Sequence, residues 1–250
     1  AVETVRMRML IVIGTKFMHN FASYASAMDL YHVKFLICNS SQFLRNYIER
    51  NYGCLYLVTV QNATLMKSQF FQNKADKGTA ALYSTFCNTL LILYCTLSEN
   101  QNAGITGSLS VNDADKAIIV GSKFSKNVAK KGAGMSNFQC KNVFIYKCSL
   151  MMNTAGYLGG GICIEENYNT LISKTYLLAN KAMEGGSIYF TKVKFCKVLS
   201  CFMHKNTGVN RGGGFQTKNL GRDIQSKLLM YNVHLLITLH LRREVLSVLN

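Results

Sequence analysis

Proline and tryptophan are absent from this chain of 250 residues, whereas 19 glycines, 13 tyrosines and 14 phenylalanines are present. This balance favours short strands and tight turns over helix bundles. No apolar run reaches the roughly 18 to 20 residues that a membrane-spanning helix requires. The nine cysteines form neither a CxxC pair nor a Cys/His zinc spacing, so we expect mostly buried thiols, no metal site and no complete disulfide framework.

Basic residues outnumber acidic residues, with 28 Lys and Arg against 12 Asp and Glu and a formal net charge of +16 at pH 7. A surface with this balance attracts polyanions such as acidic glycans, anionic lipid headgroups and nucleic acid. The alternative is a basic surface that keeps a repetitive protein soluble without engaging a ligand. Hydrophobic residues make up 49% of the chain, which is enough for a continuous core.

An asparagine recurs at intervals of 26 or 27 residues along most of the chain. These ladder asparagines are Asn20, Asn46, Asn73, Asn100, Asn127, Asn153, Asn180 and Asn206. A period of this length is typical of solenoids, in which equivalent residues of successive coils stack about 4.8 Å apart. Stacked side-chain amides can donate and accept hydrogen bonds along the axis, so we interpret the ladder asparagines as structural rather than catalytic.

At each fixed number of residues before a ladder asparagine, the side chains of the different repeats are similar in size. Three residues before the ladder asparagines stand large apolar side chains: Phe17, Phe43, Phe70, Leu97, Phe124, Leu150, Leu177 and Met203. Five residues before them stand smaller ones: Thr15, Ser41, Ser68, Cys95, Ser122, Cys148, Thr175 and Cys201. These two positions differ by two residues and therefore share one face of a strand, which we expect to be the inner face.

A glycine-rich step follows many of the ladder asparagines and leads into a further short strand, as at Gly132 to Met135 and Gly159 to Ile162. Glycine suits a tight corner where φ is positive or backbones approach closely. One unit is therefore predicted to contain three short strands, with an asparagine turn and a glycine corner before the third. Such a unit buries its faces by stacking on its neighbours. We expect an all-β fold, a right-handed parallel β-helix of about eight coils.

The order Phe-x-x-Asn-x-Ala followed by Gly-Gly-Gly-Ile occurs, with Leu first, from Leu150 to Ile162. Looser versions run from Phe70 to Leu82, Phe124 to Met135, Leu177 to Ile188 and Met203 to Phe215. This pattern resembles the repeats of polymorphic outer membrane protein-like β-helices and covers about residues 10 to 218. Such families are similar in fold to the pectin lyase-like superfamily. The resemblance implies a surface-exposed or secreted passenger domain used in adhesion.

A leucine-rich repeat solenoid is the competing architecture. Apolar residues eight, five and three before an asparagine, with another two after it, match the strand signature of that family. Leucine-rich repeats, however, place leucine where this chain has Ser, Thr or Cys, and they lack a triple glycine that leads into another strand.

The glycine corner disappears after Gly221, so the sequence predicts a repeat domain over residues 1–220 and a C-terminal cap over residues 221–250. Asn232, with Leu229 three residues before it, continues the 26-residue spacing. From Val233 to Leu249 the apolar residues follow a mixed helical spacing, which predicts an amphipathic helix over the open end of the solenoid. A helix that binds a membrane surface is the alternative.

Acidic residues suitable for polysaccharide cleavage are few. Pectin lyase-like enzymes use clustered carboxylates, and the candidates here are Asp113 with Asp115, which share a face if that segment is extended, and Asp76, whose register matches Glu49 one coil earlier. No Gly-His-Gly or Arg-x-Lys accompanies them, and solvated turn carboxylates are the favoured interpretation. The histidines do not recur in one register, so neither a metal nor a cofactor is expected.

Ten basic residues stand between one residue before and five residues after a ladder asparagine. This basic ridge consists of Arg45, Arg50, Lys74, Lys77, Lys126, Lys130, Lys131, Lys181, Lys205 and Arg211. Stacked on one side of the solenoid, these residues are expected to bind an acidic polysaccharide, an anionic surface or a protein partner, unless the ridge is simply solvated. Nucleic acid is disfavoured because few aromatic residues are interleaved. The predicted function is a non-enzymatic structural or adhesive module, with a divergent polysaccharide lyase or hydrolase as the alternative. The resemblance implies a location outside the cell or at the cell surface.

Overall fold

The computed structural model describes residues 2–50, 52–218, 227–236 and 239–240. Over these residues the chain winds into a parallel β-solenoid with four sheets of nine strands each. The prediction of an all-β parallel β-helix with about eight turns is therefore confirmed. The leucine-rich repeat alternative is wrong, because such a repeat contributes a single strand and a helical segment, whereas each described coil contributes four strands.

Each sheet takes one strand from every coil, and neighbouring strands pair in parallel. The first sheet consists of Val2–Val5, Met28–Tyr31, Leu55–Val58, Leu82–Thr85, Leu109–Asn112, Met135–Phe138, Ile162–Glu165, Ile188–Thr191 and Phe215–Lys218. The second consists of Met9–Ile13, Phe35–Asn39, Asn62–Met66, Thr89–Leu93, Lys116–Val120, Asn142–Tyr146, Asn169–Ser173, Phe195–Leu199 and Lys227–Tyr231. The third consists of Lys16–Met18, Gln42–Leu44, Gln69–Phe71, Thr96–Ser98, Lys123–Ser125, Ser149–Met151, Tyr176–Leu178, Phe202–His204 and His234–Leu236. The fourth consists of Phe21–Ala22, Tyr47–Ile48, Lys74–Ala75, Gln101–Asn102, Val128–Lys131, Thr154–Leu158, Lys181–Glu184, Thr207–Arg211 and Leu239–His240.

The fourth sheet is where the predicted unit differs from the observed one. We expected three strands per coil, but a further strand directly follows each ladder asparagine. In the first four coils it has two residues, as in Phe21–Ala22, and in the next four coils it has four or five, as in Thr154–Leu158. The longer strands end at glycines with positive φ, such as Gly132 and Gly159, which lead the chain into the first sheet.

Buried and exposed side chains alternate along the strands, so one face of each sheet lines the core and the other face points outward. In Asn62–Met66, Ala63 and Leu65 are buried, whereas the side chains on either side of them point outward. Leu65 pairs with Cys38 in the preceding coil and with Ile92 in the following one. Side chains of one register therefore stack directly over one another, which joins the interior of successive coils into one core.

The side chains of the ladder asparagines form hydrogen bonds to one another inside this core. Asn127 Nδ2 donates to the carbonyl oxygen of Leu97 at 2.9 Å and to Asn153 Oδ1 at 3.0 Å. Asn127 Oδ1 in turn accepts from the backbone N–H and from Nδ2 of Asn100, at 3.0 and 3.1 Å. The same arrangement recurs from coil to coil. Every hydrogen of the buried amide at Asn127 thus has an acceptor, which is what a buried polar group requires.

The last described coil departs from the regular spacing. Phe195 pairs with Lys227, 32 residues later, instead of the usual 26 or 27. Asn232 therefore lies in the register of Ser200, at a corner with φ of 52°, and the predicted continuation of the ladder at Asn232 is wrong. His234–Leu236 and Leu239–His240 are strands, so the amphipathic helix predicted from Val233 is not found at these five residues, whereas residues 237, 238 and 241–250 lie outside the described residues.

Candidate polyanion-binding site

The basic ridge residues lie around the fourth sheet, but they occupy several registers. Arg45, Lys126 and Lys205 stand at the corner directly before a ladder asparagine, each with positive φ. Lys74 and Lys181 share the first position of the fourth-sheet strand. In this register Lys74 is followed by Gln101, Val128 and Thr154 before Lys181 is reached. Three coils without a lysine at this position therefore lie between the two lysines. The structure therefore places the ten residues on one side of the solenoid without joining them into a continuous row.

Acidic and amide side chains are interleaved with the basic ones. Arg45 Nε donates to Gln72 Oε1, and Gln72 Nε2 donates to Glu99 Oε2, both at 3.0 Å. Lys126 Nζ lies 3.7 Å from Glu99 Oε1. Lys131 Nζ forms a half-buried ion pair with Glu165 at 3.1 Å. Several ridge residues are thus already paired, and the field along the ridge is weaker than ten free cations would produce.

A groove of about 410 Å³ crosses the second to fourth coils at this side of the molecule. It is lined by Arg45, Asn46, Tyr47, Gln72, Lys74, Glu99 and Gln101. The Tyr47 ring stacks on Phe21 with centroids 5.4 Å apart and an interplanar angle of 10°. A guanidinium, an ammonium and two amides therefore converge beside an aromatic surface, a combination that hydrogen-bonds to polar ligands and packs on the apolar face of a ring.

The candidate catalytic aspartates are not brought together. Asp113 has φ of 50°, and it lies with Asp115 in the turn between Leu109–Asn112 and Lys116–Val120. The extended conformation that would align their side chains is absent there, so the condition for a shared strand face is not met. Asp115 pairs with Lys141 at 2.6 Å. Asp76 lies at another corner, after the fourth-sheet strand, where its Oδ2 accepts a hydrogen bond from the Tyr47 hydroxyl at 2.5 Å.

The cysteines are all buried and free, and burial raises the pKa of the Cys54 and Cys163 thiols far above the ordinary range. Among the described residues, no group of three His, Cys, Asp or Glu side chains is placed to hold a metal ion. The described part of the chain also contains no helix long and apolar enough to cross a membrane.

A tyrosine cluster on the outer face of the first sheet was missed by the sequence analysis. Tyr52 stacks on Tyr56 with centroids 3.9 Å apart, and the cluster extends to Tyr24, Tyr31 and Tyr83. The register that pairs Asp29, Tyr56 and Tyr83 in successive coils is the sequence signal that could have revealed it. Tyr52 lies outside this register, before the strand Leu55–Val58, and has a positive φ of 75°.

Asp29 beside this cluster is expected to destabilise the fold at neutral pH. Its pKa is raised from 3.8 to about 6, first by burial and second by the charge of Glu3, against a hydrogen bond from Tyr31. The native state therefore binds the proton more tightly than the unfolded state does. The resulting stability is complete below about pH 4 and is lost as the pH rises through about 6.

We therefore expect Asp29→Asn to raise the free energy of unfolding at about pH 7.5 by roughly 1 kcal/mol, after allowance for partial exposure. At about pH 3.5, where Asp29 is neutral in the native state and mostly neutral in the unfolded state, the substitution should have little effect. Urea unfolding at the two pH values measures the difference. An equal change at both would show that the carboxyl group is not perturbed.

Comparison with known proteins gives one partial similarity. A stretch of 94 residues, 37% of this chain, is 31% identical to the probable outer membrane protein PmpB of Chlamydia trachomatis serovar D, and this stretch covers 5% of that protein. No family model matches the chain, and no solved structure matches it. The similarity and the solenoid together agree with the resemblance to polymorphic membrane protein-like β-helix repeats.

Proposed function

We propose that this chain is a non-enzymatic β-helix module of a cell-surface protein, and that it binds acidic polysaccharide in the groove beside the fourth sheet. The similarity to an outer membrane protein supports the cell-surface location, and the adhesive role follows from the resemblance of the repeats to polymorphic outer membrane protein-like β-helices. The groove lined by Arg45, Tyr47 and Lys74 supports the ligand class. Its two cations can contact carboxylate or sulfate groups, while the Tyr47 ring packs on a sugar ring.

Binding in this groove requires an extended ligand. Arg45 precedes the ladder asparagine of one coil and Lys74 follows that of the next, so the two cations lie at different registers and contact separate charges along one chain. Gln72 and Gln101 offer amide donors and acceptors for hydroxyl groups. Glu99, which already accepts a hydrogen bond from Gln72, disfavours a ligand of very high charge density, so a uronic acid polymer with one charge per sugar fits better than a heavily sulfated one.

The test is binding of the chain to immobilised polygalacturonate and to a neutral glucan at two salt concentrations. We expect salt-sensitive binding to polygalacturonate, and we expect the double substitution Arg45→Glu with Lys74→Glu to weaken it by at least about tenfold. A matched double substitution, Lys147→Glu with Lys174→Glu, changes the net charge by the same amount at the corner between the second and third sheets, away from the groove. Equal losses of binding in the two variants would show that the effect comes from net charge alone and would contradict binding in the groove.

The enzymatic alternative has a separate outcome in the same experiment. Cleavage of polygalacturonate, followed by new reducing ends and by the absorbance of unsaturated products, would contradict a purely binding function. Its loss on Asp76→Ala, Asp113→Ala or Asp115→Ala would then assign the site. Because Asp76 and the other two aspartates lie at different corners of the coil, we expect no turnover.

A further inference from the structure

The outward face of the second sheet is apolar, although outward positions of a soluble sheet are usually polar. Three outward registers run along the solenoid, at the beginning, in the middle and at the end of each strand, and the apolar side chains are concentrated in the last two. The middle register holds Ile11, Ile37, Leu91, Ile118, Phe144, Leu171 and Leu229, interrupted by Thr64 and Lys197. The end register holds Ile13, Met66, Leu93, Val120, Tyr146, Leu199 and Tyr231, interrupted by Asn39 and Ser173. All of these side chains are partly or fully exposed. We call this surface the apolar face.

Lysines border the apolar face along both of its long edges. At the corner before the second-sheet strands stand Lys34, Lys141 and Lys194, and Lys116 begins a strand there. At the corner after these strands stand Lys67, Lys147 and Lys174, each with positive φ. Asp115 shares the first edge but is paired with Lys141 at 2.6 Å. A stripe of aliphatic and aromatic side chains thus lies between two lines of cations.

Tyrosines occupy the boundary between the stripe and the lysines. Lys147 Nζ and Lys174 Nζ lie 5.2 and 5.7 Å from the centre of the Tyr146 ring. On the other edge, Lys194 Nζ lies 4.7 Å from the centre of the Tyr168 ring. Tyr94 stands at the corner after the second-sheet strands, in register with Lys67, and is 61% exposed. Tyrosine and lysine at the margin of an apolar surface are the residues that occupy the level of lipid headgroups.

The dimensions of the apolar face also favour a lipid surface over a protein partner. Nine strands at a spacing of about 4.8 Å give a length of roughly 40 Å, whereas the two registers lie only about 7 Å apart. A stripe of this shape is smaller than the roughly 800 Å² per partner that a stable protein interface buries. A bilayer has no such minimum, because shallow apolar insertion is combined there with attraction of many lysines to anionic headgroups.

We propose that the apolar face of the second sheet rests on an anionic lipid bilayer. The aliphatic side chains enter the boundary between headgroups and acyl chains, and the lysines of both edges contact the phosphate and carboxylate groups of the lipids. The fourth-sheet groove belongs to a different side of the coil, so this interaction is independent of polysaccharide binding.

A single tryptophan placed on the apolar face tests the proposal directly, because the chain has none of its own. We expect the emission of Phe144→Trp to shift to shorter wavelength on addition of phosphatidylcholine vesicles that contain about one third phosphatidylserine, and to be quenched by brominated acyl chains. Val128→Trp, at an exposed outward position of the fourth sheet, is the matched control and should show neither change. Equal behaviour of the two tryptophans would overturn the proposal.

Flotation with the same vesicles separates the apolar and the electrostatic contributions. We expect Ile118→Glu, between Leu91 and Phe144 in the middle register, to abolish binding. Lys147→Glu with Lys174→Glu, at exposed corners, should weaken binding by about 20-fold or more, whereas Lys74→Glu with Lys181→Glu should have a much smaller effect. Equal binding to pure phosphatidylcholine vesicles, or self-association abolished by Ile118→Glu in the absence of lipid, would overturn the proposal, the latter in favour of a protein interface.

Discussion

Replacing Phe70 with alanine is expected to lower the free energy of unfolding by about 4 kcal/mol. The Phe70 ring is fully buried and stacks on Phe43 with centroids 4.5 Å apart and an interplanar angle of 2°. Its removal leaves a cavity in the middle of the solenoid, which neighbouring coils cannot fill because their backbones are fixed by strand pairing on both sides. Urea unfolding followed by circular dichroism measures the change.

Phe71 provides a matched control in the next position of the same strand. It points outward and is partly exposed, so Phe71→Ala removes the same ring from the same strand without opening a cavity. We expect a loss below about 1 kcal/mol. Similar losses for Phe70→Ala and Phe71→Ala would mean that the strand does not separate an inner from an outer face, and the assignment of the core would have to be revised.

The sequence predicted the core registers because the inward side chains of all coils pack in one shared interior. A position that faces inward is confined by the same neighbours in each repeat, so its size class is repeated and becomes visible at a spacing of 26 or 27 residues. Phe43 and Phe70 are an example, and so are Ser41 and Ser68, where Ser68 Oγ accepts a hydrogen bond from the backbone N–H of Ser41 at 3.2 Å. The parallel pairing follows directly from this repetition.

The corners were less predictable, because their residue types are ordinary. Positive φ is usually indicated by glycine or asparagine, but three corners of the coil place other residues there, including Lys67, Lys126 and Gln139. The register of stacked neighbours determines these conformations rather than local preference. The fourth-sheet strand was missed for a related reason, since two residues such as Lys74–Ala75 are too short for a period of two to be seen.

The sequence predicted where the basic residues of the candidate site lie, but it did not predict which side chains pair with them. Counting from the ladder asparagines placed the basic residues on one side of the solenoid, where the structure has them. Their partners come from other coils, as with Lys131 and Glu165, which are 34 residues apart in sequence. The apolar face was not predicted. A buried parallel strand is expected to be apolar on both faces, so the residue types of Ile118 and Leu171 do not distinguish an exposed position from a core position.

Substituting Asn127 by alanine is expected to lower the free energy of unfolding by about 3 to 5 kcal/mol, the larger part of which comes from groups that remain behind without partners. The backbone N–H of Asn100, which donates to Asn127 Oδ1, loses its acceptor in the buried interior, and the carbonyl oxygen of Leu97 loses the donor provided by Nδ2. Asn142→Ala is the control, because Asn142 lies at a partly exposed position on the outer face of the second sheet. Its Nδ2 donates to the carbonyl oxygen of Asp115 and its Oδ1 accepts from Asn169 Nδ2, and solvent can replace both hydrogen bonds. We expect that substitution to cost less than about 1 kcal/mol, measured by the same urea titration. If the two substitutions were equally mild, the stacked amides would not contribute to stability, and the recurrence of asparagine at this register would need a cause outside the folded core.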